Sequence, residues 1–156
     1  MRDDEFERMY EAEAAGLFAF LAYRTGDRAL AEDLLADAFE RALRGRYDKR
    51  RGSERTWLYS IALNALRDHM RKAAAEGRAY ARVEIPTGGD PFADLEHRDE
   101  LARALARLSG SEREAIALRF GSGLTVPEMA KVLSEPLTTV EGRVYRALRK
   151  LREALG

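Results

Sequence analysis

The last third of the chain alternates apolar patterns of helical period with short sequences that start and stop helices. Thr125-Val126-Pro127-Glu128 fits a capping box, in which the threonine and glutamate side chains satisfy free backbone N–H groups at a helix start. Ser111-Glu112-Arg113-Glu114 and Thr138-Thr139-Val140-Glu141 fit the same box. The residues Ser134-Glu135-Pro136-Leu137 separate a short apolar helix from a longer last one. A tight turn between two such helices predicts a helix-turn-helix.

The last helix carries cations opposite its apolar side chains. Its apolar residues are Val140, Val144, Ala147, Leu148 and Leu151, and its cations are Arg143, Arg146, Arg149, Lys150 and Arg152. One face would pack while the other meets DNA phosphates. Bases would be read from the helix N-terminus by Thr138, Thr139, Glu141, Gly142, Arg143 and Arg146. Arg143 or Arg146 would pair with guanine, whereas Glu141 would either accept a hydrogen bond from cytosine or serve as a cap.

Composition indicates an all-α, soluble protein and excludes several kinds of site. Apolar residues make up 46% of the chain and charged residues 35%, and there is no cysteine. His69 and His97 lie far apart, so we expect no metal site and no cofactor. We find no Ser/His/Asp set and no phosphate-binding loop, so we do not expect an enzyme. No apolar run is long enough for a bilayer, which favours a cytoplasmic protein with no membrane contact.

Charges are segregated along the first half, although the whole chain is neutral. Residues 1–40 carry four arginines against eleven acidic residues, a net charge of −7. Residues 41–72 carry ten cations against three acidic residues, a net charge of +7. Neighbouring blocks of opposite sign favour two different partners, and the basic block would suit phosphates.

The first half predicts three helices and one basic loop. Apolar residues of helical period run through each helix; Gly26 and Asp27 separate the first two helices, and Ser53 would cap the third. The loop cations are Arg46, Lys49, Arg50 and Arg51. Tyr47 and Tyr59 are the expected exposed aromatics for stacking on bases, whereas Trp57 is expected in the core. Glycines and prolines between residues 76 and 93 indicate a linker, which gives domains at 1–75 and 94–156.

Both halves together resemble a bacterial RNA polymerase sigma factor of the extracytoplasmic-function (ECF) group of the sigma-70 family. The resemblance rests on the run from Ala31 to Ala42, on Arg51-Gly52-Ser53 and on the run from Thr56 to Asn64. In the second half it rests on Leu118-Arg119-Phe120 and on the run from Leu124 to Ala130. It implies two small helical domains, a three-to-four-helix sigma region 2 bundle and a four-helix sigma region 4, joined by a flexible linker. Such a protein initiates transcription and leaves the catalysis to the polymerase.

The resemblance also implies partners and their sites. Clamp helices of the largest subunit of core polymerase would meet Glu32, Asp33, Leu34, Asp37, Glu40 and Arg41. The minus-ten element of promoter DNA would meet Arg46, Tyr47, Lys49, Arg50, Arg51, Ser53, Tyr59, Asn64, Arg67 and Arg71, with loop 46–53 holding a flipped base. The minus-thirty-five element would meet Thr138, Thr139, Glu141, Arg143, Arg146, Arg149 and Lys150. An anti-sigma factor is a further expected partner.

Four positions depart from the family pattern. Ala36 stands where a glutamine is common, and Leu63 stands where an arginine is frequent. In the recognition helix, Glu141 and Gly142 replace a common lysine and serine, which points to unusual promoter choice or weak DNA binding. The alternative function is a stand-alone helix-turn-helix regulator, which would leave the acidic helix and the basic loop without a joint purpose.

Overall fold

Every regular element that the structure describes is helical. The computed structural model describes residues 2–77 and 95–156. The first range holds α1 (Asp3–Thr25), α2 (Arg28–Arg44) and α3 (Glu54–Ala75), with a 3-10 turn at Lys49–Arg51; the second holds α4 (Leu95–Ala106), α5 (Gly110–Ile116), α6 (Val126–Leu133) and α7 (Leu137–Leu155). The all-α prediction is confirmed. The predicted linker lies outside the described residues except for residues 76 and 77.

The first half is a bundle of three helices whose ends lie where the sequence predicts them. Gly26 closes α1 in the left-handed conformation at φ 64°. Asp27 caps α2 by accepting a hydrogen bond from the Leu30 N–H, and Ser53 caps α3 by accepting one from the Thr56 N–H. The largest buried side chains of this core belong to Leu17, Phe20, Leu21, Leu58, Tyr59, Leu63 and Leu66.

The capping box of α5 begins at Ser109, and the prediction of a box at Ser111 is wrong. Ser109 accepts a hydrogen bond from the Glu112 N–H, and the Glu112 carboxylate accepts one from the Ser109 N–H. Either serine has a glutamate three residues later, so the local pattern alone does not choose between them. Tertiary contacts decide, because Glu112 also binds Lys150 of α7 at 2.9 Å while Glu114 turns toward the first half of the chain. A π-helical turn at Ala117–Gly121 follows α5.

The helix-turn-helix consists of α6 and α7. The Thr125 capping box is confirmed: Thr125 and Glu128 bond each other's backbone N–H groups. The predicted box at Thr138 is absent, because α7 already begins at Leu137 after Pro136. The N–H groups of Thr139 and Val140 donate to the Pro136 carbonyl and need no side-chain cap. Glu141 is therefore not a capping residue, and its side chain is exposed.

The two halves pack directly against each other, with α3 lying on α6 and α1 beside the π-helical turn. Gly16 of α1 lies at this junction, where a Cβ atom would come 4.0 Å from the Cα of Ser122 in the second half and 3.1 Å from the Tyr59 hydroxyl of its own half. The Ser122 hydroxyl donates to the Gly16 carbonyl across the junction at 3.1 Å. Beside it, an apolar groove of about 260 Å³ is lined by Ala19, Phe20, Tyr23, Leu105, Ile116, Ala117, Phe120 and Gly121. Burial raises the pKa of Tyr23 to about 12.

The structure also bears on membrane insertion. Within residues 2–77 and 95–156, none of the helices combines the length and the apolar character that a bilayer span requires.

We predict that the stability of the second half depends on the charge of Glu112. Hydrogen bonds from Lys150 and Ser109 lower the pKa of Glu112 from 4.5 to about 2. Because this pKa is lower in the folded state, the stabilisation, on the order of 3 kcal/mol, is complete above about pH 4.5 and lost as the pH falls toward 2.

Urea unfolding of Glu112→Gln tests this prediction, because glutamine keeps the capping oxygen without the charge. The free energy of unfolding should fall below that of the natural chain at pH 7, and the difference should shrink between pH 5 and pH 2.5. Glu153→Gln, on the exposed side of α7, is the control and should change little. A difference that does not vary with pH would contradict the assignment.

Candidate nucleic-acid interface

The outer face of α2 carries acidic side chains, most of which pair with arginines of the same helix. Arg28 pairs with Glu32 at 3.7 Å, Arg41 with Asp37 at 3.0 Å and Arg44 with Glu40 at 2.7 Å. All three pairs are four residues apart and largely exposed, so each contributes little to stability. In the described part of the chain, Asp33 has no cationic partner, and its carboxylate is free for another molecule.

An apolar stripe divides these acidic residues. Ala29, Ala36 and Leu43 follow one another at seven-residue steps on the exposed side of α2, and Leu43 is 42% exposed. Leu34 points the other way and is 6% exposed, so the prediction that its side chain meets a partner is wrong. It lies on the same side as Ala31 and Ala38, which pack into the core.

The basic loop is built around Tyr47 and Trp57. The Tyr47 hydroxyl donates to the Gly52 carbonyl at 2.7 Å, and its ring lies 5.6 Å from that of Trp57. Asp48 accepts a hydrogen bond from the Arg50 N–H, and Gly52 adopts a φ of 134°. Tyr47 is thus half-buried rather than free, while the four loop cations Arg46, Lys49, Arg50 and Arg51 are exposed. Trp57 is half-buried: it packs against the core, as predicted, but part of its ring also lines the neighbouring cavity.

A cavity of about 580 Å³ opens between this loop and the helix-turn-helix. It is lined by Arg46, Asp48, Arg51, Thr56, Trp57, Ser60, Lys131 and Ser134. Arg46, Arg51 and Lys131 have no carboxylate partner among the described residues, so their positive charges remain uncompensated. An aromatic wall beside uncompensated cations and hydroxyl groups suits a nucleotide. Lys131 and Ser134 come from the second half, so the cavity is complete only while the two halves are packed together.

On α3 the predicted DNA-facing residues have different surroundings. Tyr59 is 1% exposed, so its predicted exposure is wrong, and burial raises the pKa of its hydroxyl. Its side chain packs against Phe20 and Gly16 of α1 and lies beside Ser122 of the second half, contacts that the pattern of α3 alone could not reveal. Asn64 is exposed. Arg67 is bound by Glu114 at 3.4 Å, and Arg71 is bound by Asp68. Ser53 caps the helix.

Four of the five cations of α7 fall into two pairs by position. Arg143 and Lys150, on one flank, bind Glu135 at 2.6 Å and Glu112 at 2.9 Å. Arg146 and Arg149 project from the outer face, where they are exposed and have no carboxylate partner in the described part of the chain. The remaining predicted base-reading residues, Thr138, Thr139 and Glu141, are also exposed.

Tyr145 is an outer-face residue of α7 that the sequence analysis missed. It is 68% exposed and lies among Gly142, Arg146 and Arg149. Its position one residue after the buried Val144 is the signal that could have identified it. Among residues 2–77 and 95–156, no cluster of three or more histidine or acidic side chains is arranged to hold a metal.

Comparison with known proteins gives the same division of the chain into two halves. Residues 9–76 match the family described as Sigma-70 region 2, and residues 98–151 match Sigma-70, region 4. The RNA polymerase sigma factor CarQ of Myxococcus xanthus is 32% identical over 98% of this chain and 90% of its own length. The chain belongs to the sigma-70 family, in its ECF group.

Other relatives of this sigma factor agree. The ECF sigma factor SigC of Mycobacterium tuberculosis is 34% identical over 90% of this chain and 78% of its own. The ECF sigma factor BldN of Streptomyces coelicolor is 30% identical over 97% of this chain, which spans 61% of that relative. Among solved structures, the sigma factor RpoE of Bartonella quintana, in complex with the anti-sigma factor NepR, superposes with a TM-score of 0.77 at 25% identity, covering 97% of both chains. CnrH, in complex with the cytosolic domain of CnrY, superposes with a TM-score of 0.72 at 25% identity, covering 99% of this chain and 89% of its own.

In this sigma factor, one carboxylate connects the two halves. Glu114 of α5 binds Arg24 of α1 at 3.0 Å and Arg67 of α3 at 3.4 Å, and its side chain is only 10% exposed. Arg55 makes a second link, because its guanidinium donates to the Ser122 carbonyl and also pairs with Glu13 at 3.3 Å. Desolvation raises the pKa of Glu13, an effect that the charge of Arg55 partly offsets. The halves are thus joined by charged groups as well as by apolar packing.

We predict that Glu114→Gln loosens the contact between the halves. The substitution removes the charge that compensates Arg24, whose side chain is only 16% exposed. A compact chain of 156 residues has a radius of gyration of about 15 Å, and separated halves would give a larger value. Small-angle scattering at low salt should show the increase.

Asp4→Asn, which removes an exposed carboxylate of α1, is the control and should leave the scattering unchanged. Identical profiles for Glu114→Gln and the natural chain would contradict the role of Glu114.

Proposed function

We propose that this sigma factor binds core RNA polymerase through the outer face of α2 and directs the enzyme to specific promoters. The basic loop and α3 would melt and read the minus-ten element, and α7 would read the minus-thirty-five element. The protein supplies binding energy and leaves bond-making chemistry to the polymerase. The observation that carries this proposal is the pairing of two unlike surfaces in one half, an acidic and apolar helix face and a cavity rimmed by free cations.

The face of α2 has the features of a site for a helical partner. Leu43 and the two exposed alanines leave a shallow apolar stripe, in which a partner helix can approach closely. Asp33 offers an unpaired carboxylate beside this stripe. The neighbouring ion pairs are exposed and weak, so their acidic members can exchange arginines of α2 for cations of a partner at little cost.

The first-half wall of this cavity, which includes Arg46, Arg51 and Trp57, supports capture of an unpaired base once the second half has moved away. Flipping a base out of a stack costs a few kcal/mol, which stacking and phosphate contacts must offset. Trp57 supplies the aromatic surface, with the Tyr47 ring packed beside it, while Arg46 and Arg51 supply cations at the rim. Asn64 and Arg71 extend this surface along the exposed side of α3.

Promoter reading would require the two halves to separate. In the packed arrangement Arg67 is bound by Glu114, and Lys131 lies at the rim of the cavity. Core polymerase and DNA would therefore stabilise a different arrangement from the one described here. The superposing relatives RpoE and CnrH were solved with NepR and with the cytosolic domain of CnrY, and we propose an anti-sigma partner for this chain as well.

Transcription with purified components tests the proposed function. The full chain, added to core polymerase and a library of promoter fragments, should give transcripts from a defined subset of the library. A stand-alone regulator would instead bind duplex DNA without core and start no transcript, which would overturn the proposal. The structure favours the sigma function, since a stand-alone regulator would not need the exposed face of α2.

Asp33→Lys should weaken binding to core polymerase by about tenfold, because it places a cation where we propose that a carboxylate meets a basic surface. Binding can be measured by titrating labelled chain with core at two salt concentrations. The matched control is Asp99→Lys, which makes the same change on the exposed surface of α4. Equal affinities for the two variants would remove α2 from the proposed interface, while circular dichroism checks that both remain helical.

A further inference from the structure

The cavity between the basic loop and the helix-turn-helix collects positive charge from both halves of the chain. Arg46 and Arg51 come from the loop and Lys131 comes from α6, while Asp48 contributes a carboxylate. The Lys131 Nζ atom would lie 3.9 Å from a Cβ atom at Gly52, so this lysine reaches across to the loop. Among residues 2–77 and 95–156, none of the three cations has an ion-pair partner. Packing the halves together therefore brings like charges close, and a bound anion would relieve their repulsion.

The same cavity has an aromatic wall and polar groups at its rim. Trp57 lines it, and the Tyr47 ring supports the indole at a centroid distance of 5.6 Å. Any base can stack on an indole, because every base has a π-face. The Asp48 carboxylate can accept a hydrogen bond from a base amino group, and the Ser134 hydroxyl adds a polar group from the second half. A volume of about 580 Å³ is within the usual range of small-molecule sites.

The second half completes this cavity, and that distinguishes a free nucleotide from promoter DNA as its occupant. A flipped base remains attached to a strand on both sides, so it can reach the indole only after α6 has moved away. A free nucleotide has no flanking strand and can enter while the halves are packed. Lys131 would then be a ligand of the phosphate, whereas it stands in the way of a strand.

We propose that this cavity binds a free nucleoside monophosphate, whose base lies on Trp57 and whose phosphate meets Arg51 and Lys131. Because Lys131 belongs to the second half, the nucleotide would bind the packed halves more tightly than the separated ones and would stabilise the packed arrangement. The site is argued from the cavity itself, whereas its effect on transcription rests on the proposed function. There the nucleotide would oppose the binding of polymerase and promoter DNA.

Calorimetric titration of the full chain with adenosine 5′-monophosphate at low salt tests the site. We expect saturable binding at one site per chain. Ribose 5-phosphate and inorganic phosphate carry the anion without the base, and they should bind at least about tenfold more weakly because they cannot stack. Equal affinities for the nucleotide and ribose 5-phosphate would overturn the proposal, and so would the absence of saturable nucleotide binding up to about 10 mM.

A variant of the second half tests whether both halves form the site. Lys131→Met keeps the apolar stem of an exposed side chain and removes its charge, so it should weaken nucleotide binding about tenfold without affecting the fold. The matched control is Lys72→Met, on the exposed end of α3 and outside the cavity, which should bind the nucleotide like the natural chain. Equal affinities for these two variants would contradict a site shared between the halves.

The regulatory effect is measured by titrating labelled chain with core polymerase in the presence and absence of saturating adenosine 5′-monophosphate. The nucleotide should weaken the binding of the natural chain to core and should have less effect on Lys131→Met. Because the polymerase is the same in both titrations, the difference between the chains reports on the site in this chain and not on a nucleotide site of the enzyme. An equal effect on both chains would overturn the regulatory role.

These outcomes are separate from those that test the proposed function. A chain that binds the nucleotide but gives no promoter-dependent transcript with core would overturn the sigma function and leave the nucleotide site standing. A chain that gives such transcripts but does not bind the nucleotide would overturn this inference alone.

Discussion

Among the contacts that join the two halves of this sigma factor, the one around a single buried carboxylate organises the charged groups at the junction. Glu114 lies almost out of solvent between Arg24 and Arg67, and neither its charge nor that of Arg24 would be tolerated there alone. The contacts of the neighbouring residues in the chain follow from this placement. Since Glu114 faces the first half, Glu112 is left to cap α5 and to bind Lys150 of α7. One short helix thereby connects the N-terminal bundle to the recognition helix.

Local sequence rules succeeded where local chemistry is decisive. Gly26, Asp27, Ser53 and Thr125 set helix ends as predicted, because a cap needs only residues within one turn. The same rules failed at Ser111, where two overlapping boxes are available and distant partners select one. They failed again at Tyr59, which packs against Phe20 and Gly16 of α1 and lies beside Ser122 of the second half.

For the candidate site, the sequence identified the charged surfaces but not which charges are free. A block of charged residues is visible in the sequence. Which of its charges form ion pairs depends on the fold. Arg143 is an example, because its partner Glu135 is eight residues away and is brought near by the turn before α7. The exposure of Leu43 and Tyr145 could not be predicted for a related reason, since apolar and aromatic residues at the edge of a buried stripe can face either way.

Lys131 and Ser134 of the second half lie on the rim of the cavity beside the loop of the first half. The contact between the halves therefore affects the free energy with which the loop binds a ligand. Every ligand that binds only when the halves are separated must supply the free energy that breaks the contact between them. Once one ligand has bound, the contact is already broken, so the next ligand binds more tightly. By reciprocity, core polymerase would raise the affinity of the loop for DNA by the same factor by which DNA raises the affinity of the chain for polymerase. An inhibitor that holds the halves together would weaken both interactions at once, without touching either surface.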